Sequence, residues 1–391
     1  MAQDTEKKRL GKYSVTTFGG ETVRAFLPPA LPPFPPVQLD KLHLLLEQAN
    51  QATGRLDGLA SVLPDLSLFI YAYVRKEAVL SSQIEGTQSS LSDLLLFENE
   101  AAPGVPLEDV QEVSNYVAAL NYGMERIKEG FPLSLRLICE IHDVLLSHGR
   151  GSDKQPGEFR RSQNWIRGTR PGNAFFVPPP PDKVRELMGE LELFLHDERQ
   201  ELPHLIRAGL VHVQFETIHP FLDGNGRLGR LLITFLLCTS GALKDPILYL
   251  SLFFKANRQS YYDHLTQVRL TGDWESWLEF FLRGVRDTAE QAVSAARRMI
   301  AMLEADRKNI EALGRPAASV LRIHEYTKTR PIFSIRGARE ATGLSYPTAA
   351  GAVEHMRNLG ILQEITGKQR DRLYAYGEYL AILNEGTEPL G

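Results

Sequence analysis

The sequence predicts a mainly α-helical protein, interrupted by one short β-containing segment and followed by a small separate domain. Three observations carry this. Apolar residues recur three and four apart through most of residues 38–313. The periodicity lapses in residues 157–182, a stretch rich in Gly, Pro, Arg and aromatics. Composition then shifts after Gly314: residues 315–376 carry ten Lys or Arg against five acids, in a chain whose formal net charge is −4.

The 391 residues allow two or three domains of roughly 150 residues each. With 43% hydrophobic and 24% charged residues, the composition is that of an ordinary globular protein. The net acidity excludes a wholly basic nucleic-acid coat protein but leaves room for one basic domain. The two cysteines, Cys139 and Cys238, lie in apolar stretches and make no disulfide framework, which fits a reducing cytosol. The N-terminal stretch MAQDTEKKRLGKYS is charged and lacks the apolar core of a secretion signal. The longest apolar run, LLITFLLC at 231–238, is too short to span a bilayer. A cytoplasmic protein with no membrane contact is expected.

FLPPALPPFPPVQLD, residues 26–40, cannot be helical, and its prolines favour an extended polyproline arm packed along the domain. Helical periodicity fills 38–97, with one helix starting near Leu66 and ending at SSQIEG, residues 81–86. Further helices end on Gly130 and Gly149, as C-terminal caps often do. Residues 157–182 read as two extended pieces, near 163–168 and 174–178, joined by a Gly-Pro turn. Helices resume at 182–198, 202–218, just after residue 226, and from Trp274 to Leu313. The expected domains are 1–100 (arm and first helices), 101–295 (core), 296–313 (connecting helix) and 314–391 (basic domain).

One stretch concentrates chemistry: HPFLDGNGRLGR, residues 219–230. Pro220 disfavours the α conformation at His219, so the preceding helix ends there and leaves the ring at the rim of a turn. Gly224-Asn225-Gly226 tolerates left-handed backbone and lets a ligand approach. The following helix starts at once, and its unpaired N–H groups make a phosphate site. Arg227 and Arg230 share one face of that helix, and guanidiniums bind phosphate oxygens in pairs. Asp223 can hold Mg²⁺ against phosphate. His219 has the pKa of a general base for an incoming hydroxyl. Together they point to phosphoryl or nucleotidyl transfer. A metal site of His212, Glu216, His219 and Asp223 is the weaker alternative, since no H-E-x-x-H or Cys pair supports it.

At every signature position HPFLDGNGRLGR resembles the motif of Fic-domain proteins, the Fic/DOC family. The resemblance implies a Fic-type helical core and transfer of AMP from ATP, with Mg²⁺, to a hydroxyl side chain (Ser, Thr or Tyr) of a target protein, the chain itself included. It implies His219 as base and Asp223 as metal ligand. Gly224, Asn225, Gly226, Arg227, Leu228, Gly229 and Arg230 then form the phosphate site. The 157–182 segment resembles the family's flap, a β-hairpin that docks the target, with Trp165, Ile166, Arg167 and Gly168 beside the reacting centre. ANRQSYYDHL, residues 256–265, is similar to the segment that packs on adenosine, which nominates Tyr261 and Tyr262. SSQIEG is similar to the family's inhibitory motif: Ser81, Glu85 and Gly86 place Glu85 on Arg230, inhibiting in cis from an N-terminal helical segment.

The C-terminal stretch 333–376 reads as helix, turn at Gly343, helix from Tyr346 to Leu359, then two short strands around Gly367-Lys368-Gln369-Arg370. It resembles a winged helix-turn-helix, which implies DNA contact through Ser345, Thr348 and Arg357 or a protein contact. Two rival functions stay open: a DNA-binding regulator that senses nucleotide, and removal of AMP by the same site. Homodimerisation also stays open.

Overall fold

The computed structural model describes residues 9–18, 20–61, 66–98, 106–197, 199, 201–368 and 370–389. Gln369, nominated for the turn between the last strands, lies outside them. The chain opens with an antiparallel hairpin, β1 (Lys12–Phe18) and β2 (Glu21–Leu27), in which Lys12 pairs with Leu27 and Phe18 with Glu21. The sequence reading missed this hairpin. Among the side chains whose burial is described, Val23, Ala25 and Phe26 turn inward, and Phe26 breaks the alternation of the other two.

The proline arm follows. Peptide bonds Leu31–Pro32 and Phe34–Pro35 are cis. The arm is packed: Arg9 donates to the carbonyl oxygens of Pro35 and Pro36, and Gln214 to that of Pro29.

Helices α1 (His43–Ser61), α2 (Leu66–Ile84), α3 (Leu91–Glu98), α4 (Leu107–Lys128) and α5 (Leu135–Leu145) come next. Then come α6 (Pro181–His196), α7 (His204–Ile218), α8 (Asn225–Thr239), α9 (Ser251–Ala256) and α10 (Arg258–Thr271). The 38-residue α11 (Trp274–Glu311) runs unbroken through residues 295 and 296. Asp273 starts it by accepting a hydrogen bond from the Ser276 N–H, as N-cap carboxylates do.

Helices α7 and α8 form the centre. Every residue of α7 from Leu205 to Ile218 except Arg207 is buried, as is almost every residue of α8, the signature of helices covered on almost all sides. Helix α2 lies against α4, α8 and α9, while α1 lies along α11. That stacking brings the end of α2 to the start of α8.

The basic segment holds α12 (Ala317–Thr329), β3 (Ile332–Ser334), α13 (Ile335–Thr342), α14 (Tyr346–Asn358), β4 (Leu362–Glu364) and β5 (Leu373–Tyr376). Its antiparallel sheet has the order β3-β5-β4. Ser334 and Ser345 cap α13 and α14 through their hydroxyls. Gly343 and Gly360 take positive φ at the helix ends where they were expected. The sequence reading gave two strands; β3 is a third, and a last helix, α15 (Gly377–Asn384), turns back onto α3 and α11. The hydrophobic core is continuous from α1 to α15. Among the described residues no helix is long and apolar enough to cross a membrane.

Candidate active site

Helix α7 ends at His219, which adopts left-handed φ 50°, ψ 62°. Pro220 forbids helix at that position, and Arg160 satisfies the carbonyls the helix leaves open. Arg160 is 2% exposed. It donates to the carbonyl oxygens of His219 (2.9 Å), Ile218 (3.4 Å), Ser162 (3.2 Å) and Pro179 (2.6 Å). The Arg160 N–H also donates to Pro220 O. One buried guanidinium thus ties the His219 turn to both ends of the 157–182 segment.

Burial, the Arg160 cation and the Arg269 cation push the His219 imidazole down to about 4, while Glu85 opposes them. His219 is therefore neutral near pH 7, the form a base requires. Among the described residues its Nδ1 finds no hydrogen-bond partner.

The loop from His219 to Gly224 is stapled from inside. Asn225 accepts from the Phe221 N–H at 2.9 Å and donates to Phe221 O at 2.8 Å. The buried Phe221 ring stacks on His142, with centroids 3.7 Å apart. His142 bonds Asp223 O through Nε2 and accepts the Gly157 N–H on Nδ1, so the neutral tautomer carries its proton on Nε2. Burial pulls its pKa down to about 4.

Gly224 caps α8 at φ 75°. Asp223 Oδ1 accepts the Gly224 N–H at 2.6 Å and faces Arg227 at 3.5 Å. Arg227 itself is buried and turned to Glu112 on α4, 3.1 Å away. It does not line the cavity, although the sequence reading gave it to phosphate.

The cavity is about 390 Å³ and is lined by Glu85, Trp165, His219, Gly226, Arg230 and Tyr262, among others. Arg230 is 2% exposed. Its Nε donates to Ser81 Oγ at 2.8 Å, and its Nη2 donates to Ser81 O at 3.0 Å and Glu85 Oε1 at 2.7 Å. Burial pushes the Glu85 carboxyl up, but the Arg230 guanidinium outweighs it and holds the group below the usual carboxylate value. A Cβ at Gly226 would lie 2.2 Å from Glu85 Oε1. Only glycine lets this carboxylate rest over the first turn of α8, where orphan N–H groups attract anions.

Leu228 is core, and Gly229 makes room for Glu216, whose Oε1 would sit 2.5 Å from a Cβ there. Tyr261 and Tyr262 both line the cavity. Tyr261 is fully buried with its hydroxyl 2.8 Å from His212 Nε2. His212 Nδ1 meets Gly229 O at 3.0 Å, so both His212 nitrogens are engaged inside the fold. Among the described residues no cluster of three or more His, Cys, Asp or Glu could hold a metal ion.

Residues 157–182 form a looser hairpin than two strands: one antiparallel bridge, Ile166 with Phe176. Arg167 takes φ 55° and Gly168 φ 84° at its turn, and Trp165 is 36% exposed. Arg269 stacks over the Phe176 ring at 4.1 Å. A larger cavity of about 760 Å³, lined by Phe131, Leu195, His204 and Arg207, carries none of the motif residues.

Sequence reasoning missed His142, Glu112, Arg160 and Arg269, and it named Glu216 only as a member of the alternative metal site. Arg160 alone left a trace, as one of several arginines in the irregular segment.

Residues 43–125 match the model for the Fic/DOC family N-terminal domain, and residues 132–237 match that of the Fic/DOC family itself. Residues 43–237 thus carry the N-terminal and Fic domains of the Fic/DOC family. A protein adenylyltransferase Fic from Aedes aegypti is 31% identical over 260 residues, covering 64% of this chain and 48% of that protein. One from Culex quinquefasciatus is 32% identical over 214 residues, covering 54% and 39%. The chain thus spans about half the length, or less, of these curated relatives. A Fic family protein from Desulfovibrio desulfuricans G20 superposes with a TM-score of 0.56 at 22% identity, over 86% of this chain and 95% of that one. Fic-1 (residues 134–508) from C. elegans gives 0.52 at 24%, over 68% and 75%. At such identities the Fic fold is what these structures share with the chain.

Proposed function

We propose that this Fic protein is an adenylyltransferase, moving AMP from ATP to a hydroxyl of a target protein, and that Glu85 inhibits it in cis. The observation that carries the reading is the carboxylate of Glu85 over the first turn of α8, bonded to Arg230, in the same cavity as a neutral His219. A carboxylate there takes the place a phosphate would occupy.

In the reaction, the hydroxyl oxygen attacks the α-phosphorus while His219 accepts its proton. The bond from the α-phosphorus to the bridging oxygen breaks, and pyrophosphate leaves. Arg230 and the α8 N–H groups hold the outer phosphates, which requires Glu85 to vacate them. Gly224 and Gly226 let phosphate approach the backbone, and Asn225 keeps the loop closed. Arg227 acts indirectly, holding Asp223 against Glu112.

One oxygen of Asp223 is engaged by the Gly224 N–H, and its side chain is 29% exposed. A single carboxylate plus phosphate oxygens and water suits Mg²⁺, which rarely takes an all-protein cage. Asp223 would hold that ion, which when bound neutralises phosphate charge.

Trp165, Ile166, Arg167 and Gly168 present an edge on which an extended target segment could add as a strand. Tyr262 is the better candidate for packing on adenosine, because the Tyr261 hydroxyl is committed to His212. The division into 1–100, 101–295, 296–313 and 314–391 is kept as a functional layout, with inhibition, catalysis, connection and docking in that order.

A second reading for the C-terminal domain has its own observation. A cavity of about 540 Å³ is lined by Arg336, Arg339, Arg370 and Arg372 with Tyr346, which favours an anionic partner such as DNA over a neutral surface. It does not coincide with Arg357, which is paired with Glu354.

The test is label transfer from ATP carrying a labelled α-phosphate, comparing wild type, Glu85→Gly and Glu85→Gly/His219→Ala, with cell lysate as a source of targets. Label in the Glu85→Gly lane that disappears in the double variant supports the reading. Equal label in both active lanes sinks His219 as base. Loss of label from a pre-modified target would assign the reverse reaction.

A further inference from the structure

The end of α2, which carries Glu85, is held on the active-site side by Arg230 on Ser81 and Glu85 and by Arg258 on Ile84 O. Its other face is short of partners: among the described residues the buried side-chain atoms Ser82 Oγ, Gln83 Oε1, Thr87 Oγ1 and Ser89 Oγ find no hydrogen-bond partner. Unpaired buried polar atoms are costly and make that face easier to displace. It has one further anchor, from the far end of the sequence. Gln83, 1% exposed, donates through Nε2 to Ser89 O and to Thr387 O, both at 2.8 Å. Gln83 lies inside the SSQIEG motif, two residues from Glu85.

The segment that supplies Thr387 O is itself pinned to the Fic core. Lys255 on α9 donates to Gly386 O at 3.0 Å and to Glu388 O. Arg298 on α11 grips Glu385 with two bonds of 2.6 Å. Asn384 donates to Ser92 Oγ on α3 at 3.3 Å. Gly386 sits at φ 77°, and a Cβ there would lie 2.5 Å from Leu252 Cδ1. Upstream, the segment continues into α15, whose Tyr379, Leu380, Ile382 and Leu383 are buried, and then into β5, the central strand of the basic domain.

We propose that residues 384–388 are a latch on the inhibitory turn: the C-terminal domain holds Gln83, and through it Glu85, and displacement of this segment releases the brake. This rests on the reading of Glu85 as a brake on the ATP site. The physical link is short. Withdrawing Thr387 O removes one of the two acceptors of Gln83 Nε2 on a face already short of partners. An engaged C-terminal domain can therefore act on the active site without touching it.

The experiment uses the full chain and the variants Gly386→Val, Lys255→Met and Glu85→Gly. Hydrogen exchange is followed over residues 81–90, and binding of Mg-ATP against Mg-ADP by calorimetry. The latch predicts at least five-fold faster exchange over 81–90 in both Gly386→Val and Lys255→Met. It also predicts a rise of five-fold or more in the preference for ATP over ADP, because a freed Arg230 can take the terminal phosphate. Adding Gly386→Val to Glu85→Gly should give no further gain in that preference. Faster exchange confined to 384–389, with 81–90 unchanged, overturns the latch. If Glu85→Gly itself leaves the ATP preference unaltered, the brake reading falls, and exchange over 81–90 still decides whether the C-terminal segment holds the turn.

Discussion

Replacing Glu85 with glycine removes the carboxylate that meets Arg230 at 2.7 Å. The guanidinium is 2% exposed and the carboxylate side chain 30%, so the pair sits between surface and interior. A charge-assisted hydrogen bond in such a place contributes about 1.5–3 kcal/mol, and its Coulomb energy at an effective dielectric of ~20 is a few kcal/mol before solvent screening. A bias of about 2 kcal/mol against the open phosphate site corresponds to roughly 30-fold in rate, since each ~1.4 kcal/mol is tenfold. The Glu85→Gly protein should therefore transfer AMP on the order of 30-fold faster than wild type in the labelled-ATP assay. The same change leaves the buried Arg230, among the described residues, with hydrogen bonds to Ser81 alone, which costs stability. Tm should fall by roughly 5 °C in calorimetry, and saturating Mg-ATP should recover part of it. Faster transfer with lower stability is the signature of a removed intramolecular phosphate mimic. An unchanged rate, or activation with a raised Tm, would refute the reasoning.

His219→Ala should abolish transfer while ATP affinity stays within about threefold of wild type, since in the proposed reaction His219 meets the incoming hydroxyl rather than the phosphates; calorimetry reads the second quantity. Because burial, Arg160 and Arg269 hold His219 near a pKa of about 4, activity should not decline between pH 8 and about pH 5 through protonation of the base. Removing the cation in Arg160→Met favours the imidazolium, so the acid limb of the pH–rate profile should move to higher pH, whereas Arg160→Lys should lower the rate with little movement of that limb. The groups facing His219 are Arg160, Arg269 and Glu85, and of these only Glu85 opposes the shift. Phe221→Ala should destabilise the fold by about 3–5 kcal/mol, because this fully buried ring stacks on His142 and tilts against Phe159; denaturant unfolding measures it.

Helix α2 and its end at SSQIEG, the end of α7 at His219 and the start of a helix close behind Gly224 were all legible, because Pro220 restricts the backbone before it and the glycines permit a turn. The left-handed φ of His219 itself was not. The short contact from Glu85 to Arg230 was legible only through a resemblance. The motifs lie 145 residues apart, and no local rule brings them together. Arg227 illustrates the opposite case. Its spacing put it beside Arg230 on one helix face, yet the side chain turns to Glu112, a residue of α4 that periodicity marks only as one more helical acid. Hairpin β1–β2 and helix α15 were invisible for another reason: at seven and eight residues per element they are too short for a period to declare itself. Arg160 looked like one arginine among several in a polar loop. Its role appears only when the carbonyls of Ile218, His219 and Pro179 are seen to converge on it.

The open space at Gly226 constrains how this protein can change. A side chain there would exclude the Glu85 carboxylate, and it would equally exclude a phosphate from the first turn of α8. No substitution at 226 can separate restraint from activity, so selection for a hyperactive chain cannot pass through that position. Losses of restraint that keep the enzyme working should instead gather at residues 81–86 and at the side chains that seat that turn. A saturation screen scored for gain of activity would then show a silent glycine loop facing a permissive helix end, with the two halves of one contact carrying opposite mutational tolerance.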